Sequence, residues 1–213
     1  MNKTIELFSR HARNNGLDVS RGMECFVDFL IDLFDEKNFG DAQRISELAI
    51  NNQFLFESAN RWLTMVSDEI SEGRYLDFFG GVYEKLYKSS DKASFFGQFY
   101  TPSHICDMVG NLFKENGTIA DNACGSGRML LSHYSRNRKQ SNYYYGSDID
   151  IMSVKMCALN LMAHGMIGRV EWKNSLQDEK PNRVYHINRV RYPIPVNLYS
   201  IYESEERNNR QSN

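Results

Sequence analysis

The glycine-rich stretch "DNACGSGRML", residues 121–130, constrains the fold of this chain more than any other feature. It follows a short apolar segment, "TIADNA", and leads into a helix-like segment, "GRMLLSHYSRNR". Gly125 and Gly127 allow a tight turn and a close approach of the backbone to a ligand, and the N-terminus of the next helix presents unpaired N–H groups. The stretch therefore predicts a strand-to-helix turn beside a ligand site.

Alternating strand-like and helix-like segments follow this turn. "NYYYGSDID" resembles a strand that ends in acids, "SVKMCALNLMAHG" an amphipathic helix, and "GRVEWKNSL" a further strand. We predict Ser153 as the N-cap of that helix and Gly165 as its stop. The order predicts an α/β fold with a parallel, doubly wound sheet and right-handed crossovers. Two later segments, "RVYHINRVRY" and "PIPVNLYSIY", are candidate strands.

The first 90 residues have helical periodicity instead. Apolar residues recur at spacings of three and four in "MECFVDFLIDLFDE", and Gly80-Gly81 predicts a break in the last helical segment. The predicted organisation is a helical N-terminal subdomain over 1–92, a ligand-binding α/β domain over 93–203 and a disordered tail over 204–213.

Composition narrows the class of protein. The sequence has no signal peptide and no apolar run of about 18 residues, so we expect a cytoplasmic protein without a membrane helix. Its four cysteines are scattered and predict reduced thiols. A net charge of −2 argues against a nucleic-acid coat protein. Two local basic patches are either solvated surface or DNA-phosphate contacts: Arg136, Arg138 and Lys139, and Arg183, Arg189 and Arg191.

The class of ligand follows from the loop and the next strand. Asp148 ends that strand, where an acid in nucleotide-binding α/β folds accepts hydrogen bonds from ribose hydroxyls. Leu130 replaces the third glycine of the dinucleotide pattern, and no Gly-Lys-Ser/Thr occurs. A ribose-bearing cofactor without a pyrophosphate fits best. We set zinc and Ser-His-Asp chemistry aside, because the five histidines lack ligand spacing and Ser126 lacks the Gly-x-Ser-x-Gly elbow.

Four motifs in order, "GQFYTP", "DNACGSG", "YYYGSDID" and "WKNSL", resemble the N6-adenine DNA methyltransferases. The similarity is strongest to the modification subunits of type I restriction systems, and it spans roughly residues 75–178. It implies a Rossmann-like methyltransferase fold with a partial parallel sheet, and S-adenosyl-L-methionine as cofactor. Restriction-modification and DNA binding are the biological context that it implies.

The resemblance also implies a task for each motif. The methionine end of the cofactor would lie against Phe99, Tyr100, Thr101 and Pro102. Its amino group and sulfonium would lie over Asp121, Ala123, Gly125, Ser126 and Gly127. Asp148 would bind the ribose, Ile149 the adenine face, and Asn174 the adenine amino group in place of the family's Asp. Each motif also has a structural interpretation: Thr101 and Pro102 as a helix start, and Asp148 or Asp150 as a helix cap.

The family's Asn/Asp-Pro-Pro-Tyr/Phe motif, which clamps the flipped base, is absent, since the sequence contains no Pro-Pro dipeptide. No catalytic residue is therefore assigned, and the chain is interpreted as a fragment or as a reduced homologue. A half-sheet would expose the edge of its first strand. We predict that residues 184–190 or 196–202, or a second chain, add a strand to that edge.

Three functions are open on the sequence alone. The first is an adenine-specific DNA methyltransferase that needs a partner subunit, a homodimer or further chain for catalysis. The second is a methyltransferase-like module that binds or interacts without catalysis. The third is a helical interaction protein in which the α/β part is scaffold.

Overall fold

The computed structural model describes residues 1–38, 41–87, 101–113, 116–138, 142–177, 179–188 and 201–204. Within these ranges the chain forms helices first and a sheet with helices second. No described helix is long and apolar enough to cross a membrane.

The first 87 residues are helical, as predicted. The helices are α1 (Asn2–Asn14), α2 (Val19–Leu33), α3 (Ala42–Asn51), α4 (Gln53–Ser71) and α5 (Phe78–Tyr87), with a 3₁₀ turn at Glu36–Asn38. Side-chain caps start three of them: Asp18 accepts a hydrogen bond from the N–H of Arg21, Asp41 from that of Arg44, and Asp77 from that of Gly80. Such caps satisfy N–H groups that have no partner inside the helix.

The predicted break at Gly80-Gly81 is wrong, because α5 continues through both glycines. Gly80 is required by packing: a Cβ there would lie 2.5 Å from the Oγ of Ser126 and also clash with the carboxylate of Asp77. Gly80 therefore permits close contact between α5 and the glycine loop, although glycine lowers the helix propensity.

The remaining elements form an α/β sheet. They are α6 (Ser103–Leu112), β1 (Thr118–Asp121), α7 (Arg128–Arg136), β2 (Tyr143–Asp148), α8 (Ile151–Ala163), β3 (Gly168–Trp172), β4 (Arg183–Ile187) and β5 (Ile201–Ser204). The strand order is β1-β2-β3-β4-β5. Strands β1, β2 and β3 are parallel, whereas β4 and β5 add to the β3 side in antiparallel pairs.

The ends of α8 correct one predicted cap and agree with another. Asp150 is the N-cap, as its structural interpretation predicted, and Ser153 is not: the carboxylate of Asp150 accepts a hydrogen bond of 2.8 Å from the N–H of Ser153. The negative charge of Asp150 also interacts favourably with the positive, N-terminal end of the helix dipole. Gly165 follows the last turn with a φ of 69°, the left-handed conformation predicted for a helix stop.

Both crossover helices cover the same face of the sheet. The ring of Tyr144 contacts His133 and Tyr134 of α7. A Cβ added at Gly146 would lie 3.4 Å from the Sγ of Cys157 on α8. Tyr144 and Gly146 are two apart on β2 and so share a face. The doubly wound arrangement that we expected is therefore not found in the described part of the chain.

The opposite face of the sheet carries a polar cluster around Tyr145. Arg169 and Lys173 of the β3 region lie over the ring of Tyr145, at 5.3 and 5.4 Å from its centroid. The phenol of Tyr145 donates a hydrogen bond of 2.7 Å to the carboxylate of Glu171. Charged side chains, rather than a described helix, thus lie on this face.

The predicted position of the added strands is wrong. Residues 183–187 and 201–204 do form strands, but they extend the edge at β3 instead of the edge at β1. Strand β1 ends the sheet and pairs only with β2 among the described residues. The two predicted segments, 184–190 and 196–202, are only partly tested, because residues 189–200 lie outside the described residues.

One continuous hydrophobic core joins the helical part to the sheet. It runs from Phe26, Trp62 and Phe79 to Leu130 and Leu161 without interruption. The ring centroids of Trp62 and Phe79 are 5.1 Å apart. The predicted division at residue 92 lies outside the described residues, as does the tail beyond 204, so the three-part division stays a prediction.

The four cysteines are free thiols, and three of them are buried: Cys106, Cys124 and Cys157. The hydrogen bond with the neighbouring thiol of Cys157, together with burial, raises the pKa of Cys124 well above its usual range. Cys124 and Cys157 pack at the glycine loop, and the free thiols agree with the predicted reduced state.

A buried histidine connects α8 to the start of α5. The Nε2 atom of His164 accepts a hydrogen bond of 3.2 Å from the N–H of Leu76, and Nδ1 lies 2.7 Å from the carbonyl oxygen of Asn160. Both contacts are satisfied by a neutral ring with its proton on Nδ1. Burial lowers the pKa of His164 from 6.5 to about 4.

We predict that this histidine makes the protein acid-sensitive. The folded state holds His164 neutral while the unfolded state protonates it near pH 6.5, so stability is full above pH 6.5 and is lost as pH falls toward 4. Between pH 7 and pH 5 the free energy of unfolding should fall by about 2 kcal/mol from this group. Urea unfolding at both pH values should show a smaller fall for His164→Gln, and an equal fall in the two proteins would contradict the assignment.

Candidate functional site

The glycine loop is a tight turn between β1 and α7. The N–H of Cys124 donates to the carbonyl oxygen of Ser147 on β2 (3.0 Å), and the N–H of Gly127 donates to that of Cys124 (2.7 Å). Gly125 and Gly127 have φ values of 52° and 84°, which favour glycine. A Cβ on Gly127 would lie 2.8 Å from the Sγ of Cys157. The loop is therefore pressed against α8 and the end of β2.

Two carboxylates end the neighbouring strands β1 and β2. Asp121 accepts a hydrogen bond of 3.1 Å from the N–H of Ala123. Asp148 accepts one of 2.9 Å from the N–H of Gly125 at Oδ2, and one of 2.9 Å from the N–H of Asp150 at Oδ1. The carboxyl ends of parallel strands are where ligands bind in open α/β sheets.

The negative charge of Asp148 affects the titration of Asp121. Burial raises the pKa of Asp121, the hydrogen bond from Ala123 opposes that rise, and the negative charge of Asp148 adds to it. Each oxygen of Asp148 already accepts one backbone N–H, and a carboxylate has about four acceptor positions. Asp148 can therefore hold the loop and still accept hydrogen bonds from a ligand hydroxyl.

Ser126 is directed into the protein. Its hydroxyl donates a hydrogen bond of 2.7 Å to the Oδ2 atom of Asp77, and its carbonyl oxygen accepts one of 2.9 Å from the Nδ2 atom of Asn160. Both polar groups are used within the protein, and the cofactor contact that the resemblance implies for Ser126 stays a prediction. Ser126 therefore fixes the loop from behind.

Asp77 lies at the centre of this contact. Its carboxylate accepts hydrogen bonds from Ser126, from the Nε atom of Arg128 (2.7 Å), from the Nδ2 atom of Asn160 (2.8 Å) and from the N–H of Gly80 (2.9 Å). The side chains of Asp77 and Arg128 are only 4% and 10% exposed. We call Asp77, Ser126, Arg128 and Asn160 the Asp77 network. It joins the start of α5 to the glycine loop.

The Thr-Pro segment lies against the same network. The Nη1 atom of Arg128 donates a hydrogen bond of 2.9 Å to the carbonyl oxygen of Thr101 and forms an ion pair of 3.0 Å with Glu84. The structural interpretation of this segment, with Thr101 as the cap and Pro102 as the first helical residue, is wrong by one residue. Pro102 is the N-cap of α6, and Ser103 is the first residue of the helix. Phe99 and Tyr100 lie outside the described residues.

The two remaining predicted site residues lie beyond β2 and β3. Ile149 is 69% exposed, and its carbonyl oxygen accepts a hydrogen bond of 2.9 Å from the indole of Trp172. The side-chain oxygen of Asn174 accepts one of 3.1 Å from the N–H of Leu176. An apolar side chain is thus exposed next to Asp148, whereas the amide of Asn174 stabilises its own turn.

Sequence analysis missed Asp77, Arg128 and Asn160, although two of them carried a recognisable pattern. Arg128 is the first residue of α7, where the helix dipole disfavours a cation. A buried arginine at that position needs a carboxylate partner. Asp77 is a lone charge in the apolar run "YLDFFGGVY". The pairing of the two, 51 residues apart in the chain, required the tertiary structure.

The described members of the basic patches are engaged in internal contacts. Arg138 donates hydrogen bonds of 3.0 and 3.1 Å to the carbonyl oxygens of Ile70 and Arg74. Arg136 forms an ion pair of 3.5 Å with Asp107. Arg183 lies on β4, and Lys139, Arg189 and Arg191 lie outside the described residues. Arg138 thus ties the end of α7 to the end of α4.

A sequence profile described as "N-6 DNA Methylase" matches residues 74–211. This range includes Asp77, the glycine loop and both carboxylates. The chain belongs to the N-6 DNA methylase family.

Known members of this family are similar over part of their length. The MjaIX methylase subunit of a type I restriction enzyme from Methanocaldococcus jannaschii is 30% identical over 119 residues, which is 51% of this chain and 21% of that protein. The MjaVIII methylase subunit from the same organism is 28% identical over 70% of this chain and 28% of its own length. The EcoEI methylase subunit from Escherichia coli is 25% identical, with 68% and 29% covered.

The chain therefore spans less than a third of the length of these three relatives. A solved structure, the methyltransferase subunit of a type I restriction-modification system from Streptococcus thermophilus, is also similar. It is 20% identical, with a TM-score of 0.42, and the match covers 84% of this chain and 41% of that one.

We predict that Asp77→Ala strongly destabilises the fold. Removing it leaves Arg128 as a buried charge without its closest partner, which typically costs about 3–5 kcal/mol. The matched control is Asp28→Ala, because Asp28 is 59% exposed in its ion pair with Lys155 and such pairs contribute roughly 0–1 kcal/mol. Urea denaturation should separate the two variants clearly, and equal losses of unfolding free energy would show that the Asp77 network is not a stability determinant.

Proposed function

We propose that this chain binds S-adenosyl-L-methionine as the cofactor-binding part of an N6-adenine DNA methyltransferase. One observation carries the proposal: Asp121, the glycine loop and Asp148 meet at the carboxyl ends of two adjacent parallel strands. Because the chain belongs to the N-6 DNA methylase family, we assign S-adenosyl-L-methionine as the ligand of this geometry.

Each part of the site has a task in this proposal. Asp148 accepts hydrogen bonds from the ribose hydroxyls with the lone pairs that Gly125 and Asp150 do not use. The exposed side chain of Ile149 packs on the adenine face. Asp121 attracts the amino group of the methionine part, and Thr101 brings the Thr-Pro segment to the other side of the loop.

Methyl transfer by this chain needs a base clamp from elsewhere. The sequence has no Asn/Asp-Pro-Pro-Tyr/Phe motif, so the groups that accept from the adenine amino group are not among its residues. The matched relatives are named as subunits of type I restriction enzymes. We propose accordingly that the chain acts on DNA as one part of an intracellular assembly. The alternative, a module that holds the cofactor without catalysis, shares the same pocket.

We predict saturable binding of S-adenosyl-L-methionine to the purified chain in a calorimetric titration. Asp148→Ala and Asp148→Asn should each weaken it at least about tenfold, because hydrogen bonds to a charged group contribute roughly 1.5–3 kcal/mol. Asp150→Asn is the matched control: it is two residues away, and Asn caps a helix as well as Asp does.

The thermal midpoints of all four proteins should be measured beside the titrations. Binding that is weakened in the Asp148 variants at an unchanged midpoint supports the site. If the native chain shows no binding, the motifs are inherited scaffold and the interaction alternative takes the lead. Equal binding by all four proteins would place the cofactor elsewhere.

A further inference from the structure

Arg128 stands where a cation is disfavoured unless its side chain has a specific use. It is the first residue of α7, at the positive end of the helix dipole, and its side chain is only 10% exposed. A buried ion pair contributes little net stability compared with apolar side chains of similar volume. The role of this arginine therefore follows from the groups that its guanidinium holds in place.

One planar group holds two separate segments of the chain. The Nε atom of Arg128 donates a hydrogen bond of 2.7 Å to Asp77, and its Nη1 atom donates bonds of 2.9 Å to the carbonyl oxygen of Thr101 and of 3.0 Å to Glu84. Because the guanidinium is rigid, it fixes the positions of these acceptors relative to one another. Asp77 precedes α5 and Glu84 lies within it, so Arg128 attaches the Thr-Pro segment to that helix.

The Thr-Pro segment has few other side-chain contacts among the described residues. The other side-chain donor to the carbonyl oxygen of Thr101 is the thiol of Cys106, at 3.7 Å. A thiol is a weak donor, and Cys106 belongs to α6, the helix that the segment itself starts. Arg128 therefore provides the charged contact that ties this segment to the glycine loop and to the helical part.

The other half of the candidate site has different supports. Asp148 ends β2 and accepts the N–H of Gly125, and the carbonyl oxygen of Ile149 accepts the indole N–H of Trp172 on β3. These contacts lie within the sheet and its loops, and none of them includes a member of the Asp77 network. The two halves of the site are therefore supported separately.

We propose that Arg128 and Asp77 are positioning residues for the methionine half of the cofactor. Arg128 sets the Thr-Pro segment against the glycine loop, and Asp77 fixes both to α5, whereas the adenosine half depends on Asp148. Both residues act through Thr101 and Ser126 rather than by contact with the cofactor. The inference rests on the proposed function, in which the loop and the Thr-Pro segment bind the methionine part.

Two thioether ligands that share the adenosine part test this proposal in the full chain. S-adenosylhomocysteine carries the amino-acid part and 5′-methylthioadenosine lacks it, so the ratio of their affinities reports on the methionine half alone. In calorimetric titrations, Arg128→Lys should weaken binding of S-adenosylhomocysteine at least about tenfold, because lysine keeps the charge but cannot hold both segments through one rigid group. Binding of 5′-methylthioadenosine should change less than about twofold, since separately supported contacts are nearly independent.

Two further variants serve as controls. Arg138→Lys is matched to Arg128→Lys, because Arg138 also donates to carbonyl oxygens of the helical part, those of Ile70 and Arg74. It should change neither affinity, whereas Asp148→Asn should weaken binding of both ligands. An unchanged ratio of affinities in Arg128→Lys overturns the proposal, because a purely structural residue would affect both ligands alike.

Hydrogen exchange of the native chain tests the same coupling without a substitution, and it decides the matter if Arg128→Lys does not fold. Coupling between two sites is reciprocal, so S-adenosylhomocysteine should slow exchange of the Gly80 N–H, which donates to Asp77, and 5′-methylthioadenosine should not. Equal protection by both bound ligands, or protection by neither, contradicts the proposal. A native chain that binds no ligand overturns the proposed function together with this inference, whereas binding with an unchanged ratio overturns the positioning role alone.

Discussion

The ion pair between Arg128 and Asp77 determines how the two parts of this protein meet. Arg128 starts the helix after the glycine loop, and Asp77 stands just before α5 in the helical part. Because both are nearly buried, each is tolerable only in the presence of the other. The remaining oxygens and donors of the pair are used by Ser126, Asn160, Gly80 and Thr101. The loop, the Thr-Pro segment and the N-terminal helices thus share one polar junction.

This junction explains why a helical region precedes the sheet. The core is continuous from Phe26 and Trp62 to Leu161, and His164 adds a second polar link at Leu76. The glycine loop is held by Asp77 of the helical part, through Ser126, and by Asp148 at the end of β2, through Gly125. Preorganising a backbone turn in this way lowers the entropic cost of ordering it on ligand binding. The helical part therefore supports the candidate site by holding the glycine loop, although none of its residues is predicted to contact a ligand.

The two edges of the sheet differ in the part of the chain that the structure describes. Its β3 edge is extended by β4 and β5, while its β1 edge and the outer face of α6 are open in the described part of the chain. Strand β1 therefore presents backbone hydrogen-bonding groups that no described residue pairs.

The sequence by itself determined the local structure and the ligand edge. Helical periodicity located the N-terminal helices, and the order of apolar runs, glycines and acids placed Asp121, the loop and Asp148 at strand ends, because these are properties of neighbours along the chain. It did not determine that Gly80 lies inside a helix, that Ser126 points to Asp77, or which edge β4 and β5 extend. Those outcomes depend on contacts between residues far apart in the chain, where burial and close packing, not local propensity, set the lowest free energy. Only the tertiary structure decided them.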